Sequence, residues 1–303
     1  MSAPLQEDFS ELTAAMAATA AGVEDCLEAL LPQPQGPEAR LHEAMRYAVL
    51  GGGKRMRPFL VLETGRLFGA PESWLLRAAA AVECVHCYSL VHDDLPCMDD
   101  DALRRGKPTV HVAYGEAAAV LAGDALLTLA FEILADEESH RDSLVRVRLI
   151  AALAEAAGAR GMVAGQMADL ALEGAGPAFA EIERLQALKT GALIGFCVRA
   201  GALIGQAEEE ALDALLAYGA DLGLAFQIAD DLLDDGASPE ELGKATAKDA
   251  ARGKATFLAA LGADRARTQA LNLAARAAAR LDFLGEKAKL LQRLAHYAVA
   301  RRR

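Results

Sequence analysis

Apolar residues recur at helical spacing along most of the chain, and short runs of proline and glycine interrupt them. The pattern predicts helices over the approximate ranges 8–31, 38–50, a segment opened by Pro58, 74–95, 115–135, 141–171, 178–204, 208–235, 248–262, 265–282 and 286–300. Neither a repeat nor a linker marks a boundary, so we predict one domain over residues 1–303. The fold class is all-α, a bundle of long helices whose functional residues face an interior cavity.

Composition supports the helical prediction. Apolar residues make up 53% of the chain, which is enough for a large core. Alanine, leucine, glutamate and arginine, which are strong helix formers, dominate, whereas β-branched and aromatic residues are sparse.

The net charge of −12 narrows the possible partners. Such a surface repels polyanions, so nucleic-acid binding is not expected, and an anionic substrate must be captured by local cations or bound metal. Residues 1–11 lack the features of a signal peptide. No uncharged apolar run approaches the roughly 18–20 residues that span a bilayer. We therefore expect a cytoplasmic protein without a membrane span.

The five scattered cysteines include one Cys-x-x-Cys pair, Cys84 and Cys87. A zinc site would need two further ligands at suitable spacing, and a redox pair would usually follow a strand. The pair instead lies in an apolar helical run, so reduced core thiols are expected, in keeping with the cytosol.

A cluster of aspartates near residue 230 has helical spacing. Asp230 and Asp234 are four residues apart and share one helix face, with Asp231 about 100° around. Their repulsion costs an isolated helix roughly 0.2–0.5 kcal/mol, and a bridging divalent cation would reverse it. Oxygen ligands suit Mg²⁺, which binds few carboxylates together with substrate phosphates.

A second cluster precedes it in the chain. It contains Asp93, Asp94 and Asp99. Asp93 lies six residues before Asp99, so on a continuous helix the two side chains would point about 120° apart. Pro96 predicts that the helix ends there, so that the following loop carries Asp99 back towards Asp93. Taken alone, each cluster could equally well be a metal site or a hydrated acidic surface. Two clusters with arginines and lysines nearby favour a diphosphate–metal site.

Five segments carry a specific resemblance to a known family. Residues 90–109, LVHDDLPCMDDDALRRGKPT, resemble the first aspartate-rich region of the trans-isoprenyl diphosphate synthases (the polyprenyl synthetase family), and residues 227–234, QIADDLLD, resemble the second. GGKRMRP at 52–58, GQMADL at 165–170 and KTGAL at 189–193 follow the family's order. The similarity runs from about residue 40 to the C-terminus and is greatest to the bacterial enzymes that make farnesyl diphosphate.

The resemblance implies an isoprenoid synthase type I fold, in which helices surround a deep central cavity, and a homodimer. It also implies that an allylic diphosphate (dimethylallyl or geranyl) ionises and that isopentenyl diphosphate attacks the resulting cation head to tail. Three Mg²⁺ per active site would stabilise the departing diphosphate.

The matching motifs also imply roles for individual residues. The expected metal ligands are Asp93, Asp99 and Asp230, with Asp94, Asp231 and Asp234 as direct or supporting groups. The expected contacts to the isopentenyl diphosphate are Lys54, Arg57, His86 and Arg105. The expected contacts to the allylic substrate are Arg104, Lys189, Thr190, Gln227, Lys244 and Lys254. Among these, Thr190 and Gln227 are neutral dipoles that would stabilise the allylic cation. No histidine or glutamate is distinguished as the final base, and the released diphosphate is the family's usual candidate.

Tyr88 is the candidate for limiting product length. It lies five residues before Asp93, about 7.5 Å down a helix from the metal site, where an aromatic ring would form a floor beneath the growing prenyl tail. In the family, an aromatic residue here accompanies short products. The resemblance therefore implies the C15 product farnesyl diphosphate, with C20 and C10 as alternatives and ordinary core packing as the other interpretation of Tyr88.

Three rival functions remain to be separated by assay. A terpene cyclase normally carries a mixed Asn/Ser/Glu motif in place of the cluster at 230–234. A non-catalytic partner subunit usually lacks one cluster. A calcium-binding structural protein would not explain the basic residues Lys54, Arg57, Arg104 and Arg105. The segment 235–244 differs from the family's common Asp-Val-x-Gly pattern.

Overall fold

The computed structural model describes residues 8–174, 176, 178–235 and 256–300. Its α-helices, in chain order, are α1 (Ser10–Leu30), α2 (Ala39–Val49), α3 (Met56–Leu67), α4 (Glu72–Asp93), α5 (Val110–Tyr114), α6 (Glu116–Ala135), α7 (Ser143–Ala157), α8 (Met162–Leu172), α9 (Phe179–Gln186), α10 (Ala192–Ile204), α11 (Glu209–Asp235), α12 (Phe257–Leu261), α13 (Ala263–Ala279) and α14 (Lys289–Ala300). A π-helical turn (Ala187–Gly191) joins α9 to α10, and 3₁₀ segments cover Glu137–Ser139 and Asp282–Ala288. The predicted all-α class is confirmed.

Two local predictions differ from the structure. The single helix expected over 141–171 is divided between α7 and α8, because the backbone leaves the helical conformation at Gly161, with φ −135° and ψ −127°. Glycine is needed there, since a Cβ would lie 2.1 Å from the carbonyl oxygen of Ala156. A small antiparallel hairpin, unpredicted, pairs β1 (Leu103–Arg104) with β2 (Lys107–Pro108). Its two turn residues, Arg105 and Gly106, have positive φ angles of 53° and 74°, as a two-residue hairpin turn requires.

The core is centred on α3 and α4, which are apolar on nearly all sides. Residues 59–62 of α3 and 78–82 of α4 are at most 1% exposed. A helix that is apolar all round must be covered by neighbours on every side, and here α1, α6 and α10 provide that cover. A second, smaller cluster joins α9, α11, α12 and α13. The single domain remains a prediction.

Four described helical stretches are long and apolar enough, by length and composition, to cross a bilayer: 72–93, 116–135, 179–204 and 209–234. Each also packs within the helical bundle, although only 39% of the apolar window in 116–135 is buried. The expectation of no membrane span therefore stays a prediction.

Helices α10 and α3 approach closely at Gly201. A Cβ on Gly201 would lie 2.5 Å from the carbonyl oxygen of Val61 and 2.7 Å from the backbone nitrogen of Gly65. Backbone atoms cannot rotate aside as a flexible side chain can. Glycine is therefore required for this contact.

We expect Gly201→Ala to lower the free energy of unfolding by about 1–3 kcal/mol, because the added methyl group must separate two packed helices. Gly195→Ala is the matched control on the same helix, since its Cβ would meet nothing within 4 Å. It should be neutral or stabilising by up to about 1 kcal/mol, since alanine is the better helix former. Urea titrations of both variants make the comparison, and equal stabilities would contradict it.

Candidate active site

The four predicted contacts to the isopentenyl diphosphate line one cavity. Lys54, Arg57, His86 and Arg105 come from the glycine-rich loop, the first turn of α3, the middle of α4 and the β1–β2 turn, and they surround a volume of about 430 Å³. Apolar side chains of α11 and α14 complete the wall. The structure thus brings together residues that lie up to 51 positions apart, from 54 to 105.

Glycine at position 53 makes room for an arginine. Gly53 has φ 135°, and a Cβ there would lie 2.7–2.8 Å from the guanidinium of Arg105. That guanidinium also donates a hydrogen bond to the carbonyl oxygen of Gly52. The glycine run therefore leaves room for the Arg105 cation beside the cavity.

The cavity has an excess of positive charge around His86. Arg57 Nη1 lies 3.5 Å from His86 Nε2. Burial, and next the charges of Arg57 and Arg105, hold the pKa of His86 well below its ordinary value. The buried Nε of Arg57 has no hydrogen-bond partner within the described part of the chain. These features favour an anionic ligand, which would satisfy the donor and offset the charge.

The first aspartate cluster adopts the predicted helix end. Helix α4 stops at Asp93, and the backbone nitrogen of Asp99 donates to the Asp93 carbonyl oxygen at 2.8 Å, which closes the loop around Pro96. Burial raises the pKa of Asp93 to about 6; the Lys189 ammonium opposes this shift and the Asp99 carboxylate adds to it. A divalent cation would relieve the repulsion between these two carboxylates.

Asp94 takes part in an ion pair. It is 2% exposed, and Arg104 donates to its two carboxylate oxygens, from Nη2 at 2.6 Å and from Nε at 2.8 and 2.9 Å. The predicted roles of Asp94 as a metal ligand or support and of Arg104 as a diphosphate contact remain predictions. In this conformation each is a partner of the other.

The π-helical turn lies between the two aspartate clusters. Lys189 Nζ contacts Asp169 Oδ2 of α8 at 2.5 Å, and its charge also reaches Asp93. Thr190 Oγ1 donates to Gln227 Oε1 of α11 at 3.1 Å. Helix α8 can approach the π-helical turn because Gly165 has no side chain; a Cβ there would lie 2.2 Å from the backbone nitrogen of Lys189. Such π turns occur frequently at functional sites.

Asp231 connects α11 to the start of α12. Gln227 Nε2 donates to Asp231 Oδ1 at 3.0 Å, and the backbone nitrogen of Phe257 donates to Oδ2 at 2.7 Å. Burial raises the pKa of Asp231 to about 6. The two hydrogen bonds lower this pKa, and the negative charges of Asp230 and Asp234 raise it further. Both oxygens of Asp231 are therefore engaged in positioning backbone and amide groups.

The donor set fits Mg²⁺. Within the described ranges, no three carboxylate, imidazole or thiol side chains converge closely enough to hold a metal ion by themselves. Mg²⁺ commonly uses one or two carboxylates, with substrate phosphates and water completing its coordination. The close pair Asp93 and Asp99, whose repulsion a cation would remove, matches that mode of binding.

Residues 38–292 match the family model described as polyprenyl synthetase. This chain belongs to the polyprenyl synthetase family. The farnesyl diphosphate synthase of Escherichia coli (strain K12) is 49% identical over 267 residues, which is 86% of this chain and 88% of that protein. The family resemblance proposed from the motifs is confirmed.

Solved structures agree with the fold of this polyprenyl synthetase. An FPP/GFPP synthase from Zymomonas mobilis, 49% identical, gives a TM-score of 0.89 over 95% of this chain and 99% of that one. A geranyltransferase from Helicobacter pylori, complexed with magnesium and isoprenyl diphosphate, is 32% identical. It gives a TM-score of 0.82 over 99% of this chain and 97% of that one.

In this polyprenyl synthetase, Tyr88 lies on α4, five residues before Asp93. It is 6% exposed, and its ring meets that of His92 edge to face, with centroids 5.8 Å apart. His92 in turn fills the space above Gly123 and contacts the carbonyl oxygen of Val120 through Nε2 at 3.1 Å. Burial, and next the charge of Asp93, raise the pKa of the Tyr88 hydroxyl to about 12.

Two predicted substrate contacts cannot be compared with the structure, and two observed ion pairs were not predicted. Lys244 and Lys254 lie outside the described residues. No role was predicted for Asp169, which the structure places against Lys189, or for Glu83, which it places against Arg55. A glutamate within the apolar run of α4 was the available signal for Glu83, because a buried carboxylate needs a partner.

The cysteines lie as expected for a reduced protein. All five are free thiols; Cys84, Cys87 and Cys197 are buried, Cys26 is half-buried and Cys97 is exposed. Burial raises the pKa of the Cys87 thiol to about 12, which disfavours the thiolate that a metal or a disulfide exchange would need.

Proposed function

We propose that this polyprenyl synthetase condenses dimethylallyl and geranyl diphosphate with isopentenyl diphosphate, and that its main product is farnesyl diphosphate. The observation that carries the proposal is the cationic cavity on α4, two helical turns before the carboxylates of Asp93 and Asp99. This arrangement offers one diphosphate a metal-free cationic site and the other a carboxylate–metal site, as the two substrates require.

The cavity residues would bind isopentenyl diphosphate without activating it. Lys54, Arg57 and Arg105 supply fixed positive charge, and neutral His86 supplies a hydrogen bond. An anion held by charge and hydrogen bonds alone keeps its C–O bond, because no Lewis acid withdraws electrons from it. The isopentenyl double bond is thereby oriented towards the allylic carbon as the nucleophile.

Asp93, Asp99 and Asp230 would hold Mg²⁺, with Asp94, Asp231 and Asp234 as direct or supporting groups. When bound, Mg²⁺ supplies Lewis-acid stabilisation of the negative charge on the departing diphosphate, and we propose three ions per site. Lys189 and Arg104 add positive charge at the same end of α4. We also propose Lys244 and Lys254 as allylic diphosphate contacts, on the motif resemblance alone.

Thr190 and Gln227 would face the allylic carbon as its positive charge develops. Their hydrogen bond leaves hydroxyl and amide oxygens as dipoles, which stabilise a cation without forming a covalent bond to it. The released diphosphate is the proposed acceptor of the final proton, since no side chain of the described site is distinguished as a base.

The test is direct. We expect the purified protein with Mg²⁺, geranyl diphosphate and isopentenyl diphosphate to release diphosphate and form a C15 prenyl diphosphate, measured by mass spectrometry. Mainly C20 or C10 products would change the length assignment alone. Cyclic hydrocarbon would indicate a cyclase, and no turnover would favour a non-catalytic subunit.

We propose that the partner is a second copy of the chain. Exposed apolar side chains line the outer faces of α6 and α7: Val120, Leu121, Leu144 and Val147 are 41–59% exposed. Covering this strip would remove apolar surface from water, as in a homodimer. Sedimentation that finds only monomer would contradict this proposal. A cytoplasmic location remains a proposal from the charge and the free thiols.

A further inference from the structure

A buried ion pair forms part of the wall of the isopentenyl diphosphate cavity. Arg55 Nη1 contacts Glu83 Oε1 at 2.5 Å, and the two side chains are 0% and 3% exposed. Arg55 Nη2 also donates to the carbonyl oxygen of Val49, at the end of α2, at 2.6 Å. One guanidinium thus joins the end of α2, the glycine loop and α4.

The backbone of Arg55 is in an unfavourable conformation. Its φ of 45° and ψ of 39° lie in the left-handed region, which a long L-side chain rarely adopts. Such a conformation persists where surrounding contacts hold it. The Arg55 side chain is held by Glu83 and Val49, and its carbonyl oxygen accepts a hydrogen bond from the backbone nitrogen of Phe59 at 3.0 Å.

The backbone conformation of Arg55 determines the directions of two predicted diphosphate contacts, Lys54 and Arg57. Arg55 is the residue immediately before α3, with Lys54 on one side and Arg57 in the first helical turn on the other. A change in its φ and ψ would redirect Lys54 relative to Arg57. Glu83 is three residues before His86 and shares its face of α4, so the same ion pair also places the loop relative to His86.

We propose that Glu83 is a positioning residue for isopentenyl diphosphate. Through Arg55 it holds the left-handed turn that directs Lys54 and Arg57 towards His86, so that three donors meet one diphosphate. The inference rests on the proposed function and deepens it. The Arg55 guanidinium is engaged by Glu83 and by the Val49 carbonyl oxygen, so it acts through the turn, whereas Lys54, Arg57 and Arg105 carry the charge proposed to meet the substrate.

The first test is Glu83→Gln, which keeps the shape and removes the charge. Because the loss of one partner leaves a buried cation uncompensated, the turn should relax. We expect KM for isopentenyl diphosphate to rise by about tenfold or more, with kcat and KM for geranyl diphosphate within about twofold. An unchanged KM for isopentenyl diphosphate in the folded variant would overturn the proposal.

A double variant separates positioning from stability. Replacing a buried ion pair by apolar residues is often neutral for stability, so Arg55→Met/Glu83→Met should melt near the wild-type temperature. The proposal requires KM for isopentenyl diphosphate to stay raised in this variant. A return to the wild-type KM would show that the pair serves stability alone. If Glu83→Gln does not fold, this double variant carries the test.

Asp221→Asn is the matched control. Asp221 is 6% exposed and receives hydrogen bonds from Arg276 at 2.6 Å and Arg280 at 2.7 Å, at the α11–α13 contact. Its loss should lower the melting temperature and leave KM for isopentenyl diphosphate unchanged. An equal rise in that KM would overturn the proposal, since any destabilisation would then have the same effect.

Calorimetric titration with isopentenyl diphosphate measures the same contact without turnover. Weaker binding to Glu83→Gln than to the wild type supports the positioning role, and equal binding contradicts it. A wild-type protein that binds isopentenyl diphosphate but makes no prenyl product would contradict the proposed function and leave the positioning role standing.

Discussion

Replacing Asp93 by asparagine is expected to lower kcat for prenyl condensation by about 10³-fold, because Lewis-acid stabilisation is worth several kcal/mol. The carboxylate is held beside that of Asp99 at the end of α4, where burial already disfavours its charge. Asparagine keeps the shape but lacks the charge that would hold Mg²⁺. Steady-state rates over a range of Mg²⁺ concentrations check the expectation.

Asp100→Asn is the control for that experiment. Asp100 belongs to the same acidic loop, is exposed, and has φ 53°, a conformation that asparagine also tolerates. Its rate should remain within about twofold of the wild type. Equal losses in both variants would mean that the loop acts through its total charge, which would contradict the specific role of Asp93.

Replacing Tyr88 by alanine is expected to shift the product distribution from C15 towards C20 or longer, changing the C20:C15 ratio by at least about tenfold, or ~1.4 kcal/mol. The ring lies on α4 below the carboxylates and against His92, so its removal would deepen the space available to the tail. Chromatography of the dephosphorylated prenyl alcohols measures the ratio.

Tyr88→Phe separates the ring from its hydroxyl. It preserves the aromatic floor, so farnesyl diphosphate should remain the main product. A Tyr88→Ala variant that is folded, active and unchanged in product length would make Tyr88 an ordinary core residue. Circular dichroism establishes that the variant is folded, since the ring is 6% exposed and its loss also creates a cavity.

Several features of the fold and site were predictable because their causes are local. The helical periodicity gave the positions of α1, α4, α6 and α11, and Pro96 correctly indicated the end of α4. The predicted arrangement of Asp230 and Asp234 on one face and Asp231 on another stays a prediction. The break between α7 and α8 was missed, because it depends on two glycines within an otherwise continuous apolar pattern.

The partners of the charged side chains were less predictable. Arg104 and Asp94 are ten residues apart and pair through the β1–β2 hairpin, which the short polar sequence did not indicate. Lys189 and Asp169 pair because Gly165 lets α8 approach the π-helical turn. The motif containing Asp169 was recognised, but its sequence alone carried no information about that contact.

The sequence by itself determined an all-helical chain, two acidic helix ends, and a set of cations suited to diphosphate. These follow from the residue types and from spacings within one or two helical turns. Only the tertiary structure decided that Asp94 pairs with Arg104, that Glu83 holds Arg55, and that Arg105 lies against Gly53. Those outcomes depend on which helices lie within a few ångströms of one another, and periodicity reports the buried face of a helix but not the residue packed against it.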